Sequence, residues 1–477
     1  MYFHLAKADP DKSLSSFLDA LKIRQVFLGT DHRDVATTLN NIGRVYYMRG
    51  DYDSSLRVYM EALKIRRSVL GRDHLDVGAT VYNTGQTYHQ MGRFKEAMEL
   101  YEEFLCIARA RLGHKHRDVA IMLKCMAQVH HEVKEYEKAQ TLYEEALSVG
   151  REAVGVNHPE VASTLNKLGN LLYEKGDFEA AIKTYREGLQ VERSALDPCH
   201  PNIVVTLTNI GQIHKHKGEL EIALKWYQEA LSIQRLSLPS NHPGIAMTLS
   251  SIGLLHYQNQ AFSLALDTYQ EALMIRRANT GEKNLEVAAT LNSIGLVLFK
   301  MHLYSYALEI FMTSLAIRRS LLGCMHQDVA IILYNIATVQ LESGDEAEAL
   351  KSYQETLRVE RAALGNDHGD VVMTLQHIGQ IHQQRGALNE ALEFLEEALC
   401  VHRRISQGGE DDLIAAQILN QMGNIHLQRQ ETPKVMESFS EAMRIYRRLG
   451  RPDSEVVIKG FNYYYMSVCH PEAAASA

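Results

Sequence analysis

Between residues 35 and 46 the apolar positions Val35, Leu39, Ile42 and Tyr46 fall at i, i+4, i+7 and i+11. That spacing marks one buried face of an α-helix of about four turns. Gly50-Asp51 then interrupts the pattern, with a glycine suited to follow one helix and an aspartate suited to cap the next. A second stripe of Leu56, Tyr59, Leu63 and Ile65 predicts a helix from Tyr52 to about Leu70, ended by Gly71. The two stripes together predict a helical hairpin.

The hairpin recurs. His32, His74, His116, His158, His200 and His242 stand 42 residues apart, Asn284 takes the next slot, and His326 and His368 resume the series. The link then lengthens by two residues around Gly408-Gly409, and Asp412 fills the slot. A glycine or alanine follows eleven residues on: Gly43, Gly85, Ala127, Gly169, Gly211, Gly253, Gly295, Ala337, Gly379 and Gly423. An aromatic follows at twenty-seven, from Tyr59 to Phe439 with Leu395 as the exception, and an arginine at thirty-five in every repeat, from Arg67 to Arg447. Alanines form two further columns, Ala97 to Ala391 and Ala62 to Ala442, where a larger side chain would overpack the hairpin.

Composition narrows the function classes. A chain of 477 residues is too long for one conventional core, and a repeat array answers that difficulty. The 9 prolines leave long helices uninterrupted. A net charge of −8 has the wrong sign for a nucleic-acid binder. No apolar run reaches a membrane span, and the first residues do not read as a signal peptide. Six scattered cysteines without a CxxC pair fit reduced thiols and a cytoplasmic location.

The Gly, Tyr and Ala spacing within each unit resembles the tetratricopeptide consensus, although 42 residues exceed that family's usual repeat of roughly 34. Asp31-His32-Arg33-Asp34-Val35-Ala36 through Leu39-Asn40-Asn41, and His158-Pro159-Glu160-Val161-Ala162 through Leu165-Asn166, are similar to the repeats of kinesin light chains. So are Ala62-Leu63-Lys64-Ile65-Arg66-Arg67 and Leu70-Gly71; nephrocystin-3-like arrays carry similar repeats. The resemblance implies an all-α, right-handed α-solenoid of about ten hairpins over residues 32–452. Half-repeats are expected over 1–31, as a lone second-type helix, and over 453–477, with a lone first-type helix from Glu455 to about Cys469. Nothing before Asp11 matches the coiled coil through which kinesin light chains join their heavy chain. The half-repeats are read as a piece of a longer product or as ends that pair with another chain.

The resemblance also implies a binding groove on the inner side of the first helices. The expected contacts are Asn40, Arg44 and Tyr47 in the first hairpin, Tyr82, Gln86 and His89 in the second, and Lys124, Gln128 and His131 in the third. Asn166, Asn170 and Tyr173 follow, then Gln212, Lys215, Tyr257, Asn292, Phe299 and Gln380. Amides can donate to and accept from a peptide backbone, and tyrosine adds rigid contact area. Leu254, Tyr257, Leu296 and Phe299 suggest a more apolar subsite. Kinesin light chains grip short acidic, tryptophan-containing peptides with such asparagines and flanking basic residues. Here Arg44, Lys124, Lys215 and Lys300 are widely spaced among Glu132, Glu174 and Glu342.

The histidine column reads as capping the first helices, since equivalent residues one hairpin apart cannot share a metal ion. The arginine column reads as structural, suited to the last turn of the second helix. No Walker A, GxSxG or HExxH motif occurs; His131-Glu132-Val133-Lys134-Glu135 lacks the second histidine. The expectation is a non-catalytic adaptor without cofactor or metal. Its partners would be protein segments, such as motor cargo or cytoskeleton-associated proteins, with self-association through the half-repeat ends as the alternative.

Overall fold

A computed structural model describes residues 10–406 and 413–449. Residues 1–9, the expected slip at Gly408-Gly409, the Asp412 slot and the expected closing helix from Glu455 to Cys469 lie outside the described residues. Within them the chain is all helix, and no strand occurs. A lone helix α1 (Pro10–Leu28) precedes hairpins that each pair a sixteen-residue helix with one of seventeen to nineteen residues.

The first compact unit spans residues 1–238. Its hairpins are α2 (Arg33–Met48) with α3 (Tyr52–Leu70), α4 (Leu75–Gln90) with α5 (Phe94–Leu112), and α6 (Arg117–Glu132) with α7 (Tyr136–Val154). Two more follow, α8 (Pro159–Glu174) with α9 (Phe178–Ala195) and α10 (Pro201–His216) with α11 (Leu220–Ser237). The second unit spans residues 239–477. It holds α12 (Pro243–Gln258) with α13 (Phe262–Thr280), α14 (Leu285–Lys300) with α15 (Tyr304–Leu322), and α16 (Gln327–Glu342) with α17 (Glu346–Leu364). It continues through α18 (Gly369–Gln384) with α19 (Leu388–Ile405) and α20 (Leu413–Gln428) with α21 (Thr432–Arg448). Within each unit a helix packs chiefly against its neighbours in sequence, so the core is a row of small interfaces, as in an α-solenoid.

Local chemistry explains the boundaries. Each repeat histidine has extended backbone and turns Nδ1 onto the N–H two residues on: His32 accepts from Asp34 at 3.1 Å and His74 from Asp76 at 3.0 Å. This satisfies one of the amide donors left open at a helix start. Asn284 does the same with its side-chain oxygen, 2.7 Å from Glu286 N, so the one substitution in this column keeps its function. Gly50 turns the chain with φ of +76°, and Asp51 caps α3 by accepting from Ser54 N at 3.1 Å. In the matching turns Lys134, Gln260, His302 and Gln430 take positive φ without being glycine.

Two positions depart from the expected stripes. Val45, not Tyr46, ends the buried face of α2, and Leu56 is only half-buried while Ser55 is buried. Ser55 reaches the core because its hydroxyl donates to the Gly43 carbonyl at 2.8 Å, tying the two helices of the hairpin.

The arginine column does more than sit in a last turn. Arg67 donates to both carboxylate oxygens of Glu103 at 2.6 and 2.7 Å, joining α3 to α5. Arg109–Glu145 (2.7 Å), Arg319–Glu355 (2.7 Å), Arg361–Glu397 (2.6 Å) and Arg403–Glu441 (2.9 Å) repeat the rung, as do Arg151–Glu187 and Arg193–Glu229. Arg277 faces Thr313 where the glutamate would stand and pairs instead with Glu282 at 2.9 Å.

Candidate functional site

The first-type helices alternate residues turned into the hairpin with residues turned away from it. All the expected groove residues, from Asn40 in α2 to Gln380 in α18, are half-buried. None is in the core and none stands fully in solvent, which is the exposure of a surface lined by neighbours on either side. Gln376 and Asn420, in the same columns, are buried instead.

Many of these side chains already hold one another. In the first unit Asn83 donates to Asn40 Oδ1 at 3.1 Å, and Gln86 donates to the Tyr82 hydroxyl at 2.6 Å. His89 Nε2 lies 2.9 Å from Glu132, and His131 Nε2 lies 3.0 Å from Glu174. Gln128 donates to Glu132 at 3.0 Å. Asn170 accepts from Asn209 at 3.4 Å and from Tyr185, and Gln212 accepts from Tyr227 at 3.3 Å. In the second unit Asn335 donates to Asn292 at 2.8 Å. The amides expected to grip a peptide therefore spend part of their capacity linking adjacent hairpins.

Asn166 is committed furthest. Its amide nitrogen donates to Glu192 at 2.9 Å and to Thr206 at 2.8 Å, and Thr206 also donates to Glu192 at 2.8 Å. Burial pushes the Glu192 carboxyl up, against those two donors. Gly188 permits the arrangement: a β-carbon there would lie 2.9 Å from Asn166 Oδ1, in a column otherwise rich in alanine.

Glu192 belongs to a polar seam between each second-type helix and the next first-type helix, which the repeat columns did not disclose. Arg24 donates to Thr38 at 2.6 Å, Arg66 to Thr80 at 2.7 Å, Arg276 to Thr290, and Thr374 to Glu360 at 3.1 Å. Arg318 meets Asp328 Oδ2 at 2.8 Å. The seam residue varies between acid and base, so no single residue type marks it in the sequence. The threonine six residues after the histidine is its best signal.

A second missed feature is an aromatic pair at each bend, formed by the end of one helix and the start of the next. The ring centroids are 5.7 Å apart for Tyr47–Tyr52, 5.9 Å for His89–Phe94, 6.0 Å for His131–Tyr136 and 5.7 Å for Tyr173–Phe178. Tyr257–Phe262 and Phe299–Tyr304 continue it at 5.8 and 6.1 Å.

Two hollows open on these faces. One, of about 570 Å³ in the second unit, is walled by Tyr257, Phe262, Phe299 and Tyr304 with Lys300 and Glu342 at its rim. It contains two of the four residues of the expected apolar subsite; Leu254 and Leu296 do not line it. Lys300 Nζ lies 5.4 Å from the Phe299 ring centroid, a cation on an aromatic face. The other, of about 460 Å³ in the first unit, lies between α4 and α6 beside Tyr82, Phe104 and Asp118. Among the described residues no group of histidine, cysteine or carboxylate side chains is placed to hold a metal ion. No described helix is long and apolar enough to cross a membrane.

Comparison with known proteins places the fold. The tetratricopeptide repeat family model matches residues 2–68, 34–110, 118–194, 202–278, 286–362 and 328–404. No curated protein sequence matches. Among solved structures, the apo form of RapI is 16% identical, with a TM-score of 0.56, covering 78% of this chain and 99% of that one. BtubC (BKLC) from P. vanneervenii is 20% identical, TM-score 0.43, covering 48% of this chain and 91% of that one. A Podosopora anserina putative kinesin light chain with nearly identical TPR-like repeats is 15% identical, TM-score 0.39, covering 43% and 97%. These similarities concern the fold, and with the family match over most of the sequence they agree with the repeat columns. The chain belongs to the tetratricopeptide-repeat family.

Proposed function

We propose that the chain is a non-catalytic interaction scaffold whose first-type helices bind an extended or short helical segment of partner proteins, as an adaptor of the kinesin light chain-like type. The observation that carries this reading is the row of half-buried amides and rings along those helices, opening into the two hollows. Fixed columns are consumed by packing and capping, whereas this row varies in chemistry from hairpin to hairpin, as a surface that recognises side chains requires. Partner identity would follow from the local chemistry of each hollow. A cytoplasmic location is part of the proposal, and the five described cysteines, all free thiols, agree with it.

Selection of a random peptide display library on the full chain tests the reading. Selected peptides are expected to lose binding to a Gln86→Ala/Lys124→Glu/Gln128→Ala variant or to a Tyr257→Ser/Phe299→Ser variant, each checked for retained helix by circular dichroism. Peptides that bind both variants as tightly as the wild type would sink it.

One observation favours self-association as a second reading. Helix α1 leaves Ile23, Val26 and Phe27 at 59%, 80% and 80% exposure, an uncovered apolar face of the kind that marks interfaces. Light scattering across a concentration series decides: a mass that rises with concentration and falls back in a Val26→Glu/Phe27→Glu variant supports it, and a constant monomer mass rejects it.

A further inference from the structure

At the start of the first-type helices a short ladder of ion pairs joins one hairpin to the next. Arg33, the first residue of α2, reaches Asp76, the second residue of α4, at 3.1 Å. Arg117, the first residue of α6, reaches Glu160, the second residue of α8, with Nε at 2.8 Å. Between these two rungs the matching pair is Leu75 and Asp118. Leucine cannot complete the rung. Asp118 then has no lysine or arginine at ion-pairing distance among the described residues; its near neighbours are His116 Nδ1, at 3.8 Å, and the adjoining Arg117, which is committed to Glu160.

The 460 Å³ hollow lies at this missing rung. Leu75 and Asp118 both line it, together with Tyr82, Phe104 and Ile121. Its walls are aromatic because Phe104 stands in a column that elsewhere holds mostly alanine, its ring 5.9 Å from that of Tyr82. Gly78 makes room for that ring, since a β-carbon there would lie 2.9 Å from it. The seam residue at this level is Ala108, so the chain sends no arginine of its own across the α5–α6 interface, as Arg66 does across the previous one. The result is a hollow with aromatic and aliphatic walls and an uncompensated carboxylate at its edge.

We propose that this hollow receives an arginine side chain from a partner segment, completing the ladder in trans. Its guanidinium pairs with Asp118 as Arg33 does with Asp76, and its planar group and methylene stem lie on Tyr82, Phe104 and Leu75. Arginine fits better than lysine because a flat, weakly hydrated cation stacks on rings and bonds a carboxylate through two N–H groups at once. The volume falls within the range of sites that enclose a side chain and its flanking backbone. This proposal rests on the groove reading above and assigns a partner chemistry to one of its hollows.

The test uses the full chain with ¹³C-labelled isoleucine methyl groups, observing Ile121 in the hollow wall. The probes are acetyl-Gly-Leu-Arg-Leu-Gly-amide and the same peptide with citrulline, a neutral group of the same shape, in place of arginine. The arginine peptide is expected to shift the Ile121 methyl signal, with the citrulline peptide about fivefold weaker or worse, the scale of one charge pair. Asp118→Asn should erase the difference between the two probes. Leu75→Arg should abolish binding of both by filling the rung from within, and circular dichroism checks that it folds. Equal binding of the two peptides, an Asp118→Asn variant that still prefers arginine, or no shift at Ile121 would overturn the proposal. The groove reading would survive any of these if display-selected peptides still depended on Gln86, Lys124 and Gln128, or on Tyr257 and Phe299.

Discussion

Gly169 in α8 and Tyr185 in α9 meet so closely that a β-carbon on the glycine would lie 2.7 Å from the tyrosine ring. The same contact joins Gly43 to Tyr59, Gly85 to Tyr101 and Gly295 to Phe311, at 2.6 to 2.7 Å. The glycine column and the aromatic column are therefore two sides of one interface. Gly169→Ala should cost about 1–3 kcal/mol, the usual penalty of overpacking a filled core. Thermal unfolding followed by circular dichroism measures it, and an unchanged transition would mean that the ring has room to move.

The Arg67–Glu103 rung is about one-third exposed on each side. A bidentate pair in that setting is worth roughly 0.2–1 kcal/mol. Arg67→Ala should therefore lower stability slightly and leave groove binding unchanged. Its effect should shrink at about 1 M salt, where charges are screened within ~3 Å. A loss as large as that of Gly169→Ala would contradict this assignment.

Asn166 should behave as a structural residue more than as a ligand contact. Removing its amide takes one of two donors from buried Glu192, and an unsatisfied buried group costs about 1–3 kcal/mol. Asn166→Ala is expected to lower the unfolding temperature, with Asn166→Ala/Glu192→Gln recovering part of the loss. Additive losses in the double variant would show that the two residues are not coupled.

Glu360 occupies the same seam position one unit later in the chain but has a poorer shell. Thr374 donates to one oxygen, while the other is buried without a partner, and Tyr334 stands where Asn166 would be and bonds His377 instead, at 2.8 Å. Burial, with Asp370 adding to it, pushes the Glu360 carboxyl up to about 7. Below pH ~4.5 the group is protonated in folded and unfolded chains alike. Above that the unfolded chain ionises first, so this contribution to stability falls as pH rises to about 7 and stays lost above it. Glu360→Gln should flatten the decline in unfolding temperature between about pH 5 and 7 and leave the variant the more stable at pH 8. Parallel pH profiles for variant and wild type would refute the assignment.

Much of the fold was legible because each repeat presents the same physical problem. Val35, Leu39 and Ile42 mark a buried helical face, His32 marks its start, and the Gly50-Asp51 and Gly71 breaks locate α2 and α3 to the residue. The expected groove residues all fell on one half-buried face, because their 42-residue register places them on equivalent turns of successive helices. Their bonding was not legible. Whether Asn166 meets a peptide or Glu192 depends on a residue 26 positions away in another helix.

The sequence by itself determined the repeat, its helices and the faces they bury, since helix periodicity and capping act over a few residues and recur every 42. Only the tertiary structure decided which polar groups are spent between hairpins, as at Arg67–Glu103, and where a rung is missing, as at Leu75–Asp118. Those outcomes arise between helices that lie next to each other in space but about 36 to 43 residues apart in the chain. Their energy depends on distance and burial, which no single segment of the sequence carries.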